Sequence, residues 1–279
     1  MTQDKMLERL LRKYNFRGKH RLVDILFSKS EKIVVPYLYD SLIEINTDEL
    51  IGKEIFWHGG YEKEVMWILD HMKISDGVCL DLGANIGVWS VPMGKLFQKI
   101  YCVEPHPEFR RRLLNNLSLN GICNAVVHDC ALGTSEGKVT LHAPPLHMKN
   151  KSASILELND ELTEQIEVNI RSIDELFHEV DRVDFIKIDC DGSDGNIILS
   201  GRSLIESFRP VVLFEDLGGY HSQMGSPDLV KRVDDDYDSA YQLLISLGYR
   251  IFEIGDKRLT ETKRPRGRYS NILAIPNCC

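Results

Sequence analysis

The chain has 279 residues, 43% hydrophobic and 27% charged, a soluble globular composition with room for one large α/β domain and a small extension. Its formal net charge of −8 disfavours nonspecific attraction to nucleic-acid backbones, so no nucleic-acid partner is expected. The 7 cysteines, Cys79, Cys102, Cys123, Cys130, Cys190, Cys278 and Cys279, form no C-x-x-C pairs with metal spacing and fit a reducing, cytoplasmic setting.

At the N-terminus, Met6, Leu7, Leu10 and Leu11, then Leu22, Ile25 and Leu26, are spaced as short amphipathic helices. Their charged face (Lys5, Arg9, Arg12, Lys13, Arg17) reads as solvated, with contact to an anionic surface or glycan as the sharper alternative. The same helices offer a homodimer contact. The start is charged throughout, unlike a signal peptide, and no apolar run reaches the length of a membrane span. Residues 32–55 read as a strand or hairpin segment, so residues 1–55 are taken as an N-terminal extension and 56–279 as the main domain. Gly59 and Gly60 then break the chain, and a helix is predicted from Glu62 to Met72.

Residues Val78 to Ser90, V-C-L-D-L-G-A-N-I-G-V-W-S, read as a buried strand, a tight glycine turn at Gly83 and Gly87, and the start of a helix. Such a turn presents free N–H groups to a polar ligand. The spacing matches neither a dinucleotide loop nor a phosphate loop, and no lysine follows to neutralise phosphate. Asp81 suits instead a ligand bearing an ammonium or sulfonium. The same pattern also serves an ordinary strand–turn–helix.

Further on, Ile100 to Val103 is the next strand, ending in Glu104-Pro105. Glu104, about 20 residues past the glycine turn, is placed to accept hydrogen bonds from ribose hydroxyls, or is simply a surface carboxylate. A helix over Pro107 to Asn120 stops at Gly121; a third strand, Ala125 to Val127, leads to Asp129, Cys130 and Ala131. Lys138 to His142 and Ile166 to Ile170 read as strands either side of a loop, and Ile173 to Val180 as a helix. Phe185 to Ile188 is the fourth core strand, ending in Asp189-Cys190-Asp191-Gly192. A helix over Asn196 to Phe208 contains Gly201, and Val211 to Phe214 is the fifth strand, ending in Glu215-Asp216. Residues 218–236 read as a long polar connection, Tyr237 to Leu247 as a helix, and Tyr249 to Ile254 and Tyr269 to Ile275 as a last pair of strands across a turn.

Alternating strands and helices predict a doubly wound, mainly parallel α/β sheet, with the ligand beyond the carboxyl ends of the strands where their order reverses. Asp81, Glu104, Asp129, Asp189 and Glu215 each fall at or just beyond such an end.

At this point the residues resemble a known group. V-C-L-D-L-G-A-N-I-G-V-W-S, Y-C-V-E-P-H-P, F-I-K-I-D-C-D-G and R-P-V-V-L-F-E look like the FkbM-type branch of class I S-adenosylmethionine-dependent methyltransferases. The segments G-Y-E, S-I-D-E-L and N-I-L-A-I-P extend the likeness over roughly residues 55 to 277. The resemblance implies a seven-stranded Rossmann-like sheet and an S-adenosylmethionine site. Asp81, Gly83, Ala84, Asn85 and Gly87 would lie along its methionine and ribose side, with Glu62 at the methionine end. Glu104 and Pro105 would meet the ribose, and Asp129, Cys130 and Ala131 the adenine. It implies methylation of a hydroxyl on a sugar, glycan or natural product. Asp191 departs from the family, which often has glutamate there.

A sugar hydroxyl is a weak nucleophile, so a base is expected. Asp189 is the first candidate, and it also borders the cofactor; Asp191, Glu215 and His221 follow. Asp189 equally suits a residue that only orders the cofactor or caps a turn. Asp189, Asp191 and Glu215 could alternatively hold a divalent metal, but no fixed ligand spacing marks one, and none is expected. Competing readings are a small-molecule N-methyltransferase, for which D-C-D-G is the wrong motif, and a non-catalytic S-adenosylmethionine-binding subunit, which the intact glycines and acidic strand ends disfavour.

Overall fold

The structure is a computed structural model that describes residues 31–72, 76–143, 154–156, 164–218, 226–265 and 268–277. The helices predicted before residue 31 lie outside these.

The described chain opens with an antiparallel hairpin, β1 (Lys32–Tyr37) and β2 (Ser41–Asn46), followed by helices α1 (Leu50–His58) and α2 (Lys63–Met72). Alternation sets the hairpin's inner face: Val35, Tyr37, Ile43 and Ile45 are buried, while Val34 and Leu42 face out. It is fastened to helix α4 (Pro107–Leu119) by side-chain amides. The Glu44 N–H donates to Asn116 Oδ1 at 2.7 Å, and Leu42 exchanges both its backbone bonds with the Asn120 amide at 2.8 and 2.7 Å.

The main sheet has eight strands in the order β12-β11-β13-β10-β9-β3-β4-β5. Strands β3 (Val78–Leu82), β4 (Lys99–Val103), β5 (Ala125–His128), β9 (Phe185–Ile188) and β10 (Val211–Asp216) are parallel neighbours. Their near-continuous apolar sequences fit burial on both faces: every residue of β3 and β9 is buried. Beyond β10, β13 (Ser270–Pro276) runs antiparallel between β10 and β11 (Tyr249–Gly255). One large core cluster, including Ile43, Trp57 and Trp89, unites the hairpin, α1, α2 and helix α3 (Ser90–Leu96) on one side of the sheet. The other, including Ile197, Tyr237 and Leu244, lies under helices α6 (Asp194–Ser200), α7 (Arg202–Phe208) and α8 (Pro227–Ser246). The order reverses between β3 and β9, which fixes where a ligand can enter.

Several elements differ from the expectations. An eighth strand, β12 (Arg258–Glu261), forms within the stretch read as a turn by pairing with β11. The strand expected over Ile166 to Ile170 is β8 (Glu164–Arg171), and it joins a separate three-stranded sheet with β6 (Cys130–Leu132) and β7 (Gly137–Ala143). The helix after β8 is a single turn, α5 (Ile173–Leu176). Gly201 breaks the following helical stretch into α6 and α7, where a Cβ would come within 2.9 Å of Ile173. Helix α8 starts ten residues before its predicted start, at Pro227, because Ser226 caps Leu229 N and proline occupies its first turn.

Arg264, 7% exposed, ties the β12–β13 connection to the helical layer. It donates to Asp216 at 3.0 Å, Asp234 at 2.8 Å and Asp238 at 2.9 Å. Replacing Arg264 with leucine strands the fully buried Asp216 carboxylate. The expected loss is about 3–5 kcal/mol of stability in urea unfolding, and a loss under about 1 kcal/mol would show that the pair does not hold this edge.

Candidate functional site

The site is built where the ends of β3 and β9 converge. The Gly83 N–H donates to the Val103 carbonyl at 3.0 Å, and Gly83 has φ +85°. A Cβ there would lie 2.0 Å from the Asp189 carbonyl oxygen, so the close approach of the two strand ends requires glycine. Glu62, Asn85 and Asp191 are non-glycine residues in the left-handed region, at φ 49°, 50° and 49°. Each such residue costs of order 1–3 kcal/mol, and all of these border the cavities described next.

Two adjoining chambers open here. The first, about 560 Å³, is lined by Gly83, Asn85, Glu104 and Pro105 at one side, and by Cys130, Ala131, Leu132, Phe109 and Ile197 around an apolar cleft. The second, about 1000 Å³, is lined by Tyr61, Glu62, Glu215, Leu217 and Tyr269. Gly83, Asn85, Asp189 and Asp191 border both.

Glu104 is 5% exposed, and its carboxylate accepts from the Asn85 N–H and the His106 N–H, each at 2.8 Å. Burial pushes its pKa up to about 7, against those two backbone donors. Ser193, 4% exposed, borders the first chamber, and its buried Oγ has no hydrogen-bond partner among the described residues. An apolar cleft, a diol-sized carboxylate and an orphaned hydroxyl fit a nucleoside-bearing ligand.

The second chamber is acidic. Oxygens of Glu62, Asp189 and Glu215 lie within 4.8 Å of one another, close enough to share a cation. Burial first, then Asp189 and Glu62, raise Glu215 well above the usual carboxylate range, while the Tyr269 hydroxyl donates to its Oε1. The Trp89 indole N–H donates to Glu62 at 2.7 Å. Asp194, fully buried, joins the strand ends by accepting from Cys190 N at 2.9 Å and Glu215 N at 3.0 Å.

Not every expected residue meets the cavity. Asp81 lies inside the sheet at 0% exposure, accepts from Ser90 Oγ at 2.5 Å and faces Lys187 Nζ at 3.8 Å. Its carboxylate therefore answers a lysine of the neighbouring strand rather than the rim. Ala84 is buried beneath the turn, and the space beside Gly87 is taken by the Leu113 side chain. Asp129 is outside both chamber linings, whereas Cys130 and Ala131 belong to the first. His221 lies outside the described residues. Tyr61, Trp89, Asp194 and Tyr269 escaped sequence reasoning. Lys187 did leave a signal, a lone charge inside the apolar run F-I-K-I-D.

The methyltransferase FkbM domain profile matches residues 81–251. Among curated proteins none matches significantly. The solved methyltransferase FkbM of Methylobacillus flagellatus KT is similar at 19% identity over 72% of this chain, with a TM-score of 0.45. The present chain spans 44% of that protein, less than half its length. M. jannaschii TYW2 in complex with AdoMet is similar at 11% identity over 88% of this chain and 86% of that one, with a TM-score of 0.43. No described helix is long and apolar enough to cross a membrane.

Glu104 makes stability depend on pH. Its folded pKa of about 7 lies above the ordinary 4.5, so its contribution is full below about 4.5 and is lost as pH rises through about 7. Urea unfolding of the parent and Glu104→Ala across this range is expected to shift the stability difference against the parent by about 2–3 kcal/mol. A difference that stays flat with pH would overturn the assignment.

Proposed function

The chain belongs to the methyltransferase FkbM domain family, and on that premise we propose that it is an S-adenosylmethionine-dependent O-methyltransferase acting on a hydroxyl of a sugar, glycan or natural product. The observation that carries this reading is the shared wall: Gly83, Asn85, Asp189 and Asp191 border both chambers, so a donor in one and an acceptor in the other would meet across it. S-adenosylmethionine supplies a methyl group already activated on a sulfonium.

In this reading Glu104 accepts from the ribose hydroxyls, and the cleft of Pro105, Phe109, Cys130, Ala131 and Ile197 takes the adenine. Glu62 and the Gly83–Asn85 turn border the methionine end. Alignment and exclusion of water then account for most of the rate. Asp189 receives the acceptor's hydroxyl proton as the new C–O bond forms and the C–S bond breaks. Carboxylates at Asp189, Asp191 and Glu215, with the hydroxyls of Tyr61 and Tyr269, suit an acceptor rich in hydroxyl donors. A cytoplasmic setting, with residues 1–55 as an extension that offers a dimer contact, completes the proposal.

Purified protein incubated with methyl-labelled S-adenosylmethionine and a panel of sugar nucleotides, free sugars and glycans is expected to label a hydroxyl. Titration calorimetry is expected to show binding of S-adenosylmethionine and none of a nicotinamide cofactor; the reverse would overturn the reading. Asp189→Asn should lower kcat about 10²–10⁴-fold and leave KM for S-adenosylmethionine close to the parent's. Unchanged turnover would remove Asp189 as the base.

A further inference from the structure

A buried lysine touches Asp189 and has no part in the proposed reaction so far. Lys187 is 3% exposed, in the middle of the sheet, in register beside Asp81 of β3. Its ammonium donates to Asp189 Oδ2 at 3.0 Å and stands 3.8 Å from Asp81 Oδ1. It also lies 5.8 Å from the centre of the Trp89 ring, whose N–H holds Glu62. Burial alone would push this lysine down, but Asp189, Asp81 and Glu62 outweigh it and hold the ammonium charged.

A buried ammonium of this kind needs a reason, because removing it from water is costly unless its partners compensate. One reason is structural: Asp81 is fully buried, its Oδ1 has no hydrogen bond among the described residues, and it needs a cation nearby. That reason alone does not explain the shorter contact, which goes to Asp189. Through that contact one carboxylate oxygen of Asp189 is held. The other, Oδ1, takes no hydrogen bond among the described residues, and Asp189 borders both chambers.

We infer that Lys187 is a positioning residue: it pins Oδ2 of Asp189 from inside the sheet so that Oδ1 is presented to the acceptor hydroxyl as the proton-accepting atom. This deepens the proposed reaction and rests on Asp189 being its base. Lys187 touches neither donor nor acceptor. The titratable groups that interact with it are Asp81 on β3, Asp189 and Cys190 at the end of β9, Glu62 and Tyr61 before α2, Tyr37 on β1 and Asp194 on α6. Glu215, on β10, bears on the same Asp189. Removing the cation from this group favours protonation of its carboxylates, so the acidic limb of the kcat–pH profile should move to higher pH.

The test separates a positioning role from a neutralising one. Lys187→Met alone leaves Asp81 buried without its cation and threatens folding, so the comparison is made in an Asp81→Asn background, where no Asp81 charge is left for the lysine to neutralise. In that background Lys187→Met is expected to lower kcat 10- to 100-fold with the acidic limb displaced upward. The same substitution added to Asp81→Asn with Asp189→Asn should change nothing further. Crystal structures of the Asp81→Asn and Asp81→Asn/Lys187→Met proteins need no acceptor, and are expected to show the Asp189 carboxylate rotated only in the second. Wild-type-like turnover of Asp189→Asn would defeat the base assignment. A deficient Asp189→Asn with an unaffected, or fully multiplicative, Lys187→Met, or an unmoved Asp189 carboxylate, would defeat the role of Lys187 alone.

Discussion

The molecule depends on how closely two strand ends approach each other. At the end of β3 the chain passes so near the Asp189 carbonyl that the 2.0 Å a Cβ would leave at Gly83 admits no side chain. Because the strand order reverses at this point, the loops after β3 and β9 diverge to opposite faces and open a crevice between them. Both chambers descend from that divergence, and their common residues come from these two loops. A wider separation of the strands would relieve the clash at Gly83 but not its left-handed φ of +85°, and would lose the shared wall.

The second theme is electrostatic. Carboxylates gathered at the ends of parallel strands repel one another more strongly as water is removed. The fold answers with different partners at each position. Glu104 takes two backbone N–H groups, Asp194 takes two more, Asp81 and Asp189 face a lysine, and Glu215 takes a tyrosine hydroxyl. Backbone donors do not fully offset desolvation at Glu104 or Asp194, whose pKa values are both raised to about 7.

Much of this was legible in the order of residues. The buried strands announced themselves as short apolar runs, and Gly83 and Glu104 marked residues that border the crevice, because these signals are local. The rest was not, for identifiable reasons. Asp81 and Lys187 lie on strands more than a hundred residues apart in sequence, and nothing in either stretch declares that the two will sit side by side in register. Tyr61 and Tyr269 reach the second chamber from before α2 and from the start of β13, which only the finished topology brings together. The aspartates at positions 234, 235, 236 and 238 masked the helical pattern of α8 by their polarity, although Ser226-Pro227 was a usable start signal. Gly201 reads as a tolerated helical glycine until Ile173 is seen against it.

The asparagine amides that fasten the hairpin to α4 bear on how a gene fragment could be chosen. Asn116 also donates to the Ile86 carbonyl at 2.8 Å, and the Tyr37 hydroxyl to the Val88 carbonyl at 3.1 Å, so the hairpin and the glycine turn share anchors. Trimming an expression clone to the recognised family segment would bare Asn116 and Asn120, and unroof Ile86 and Val88. What such a clone discards from the front is part of the scaffolding of the crevice itself.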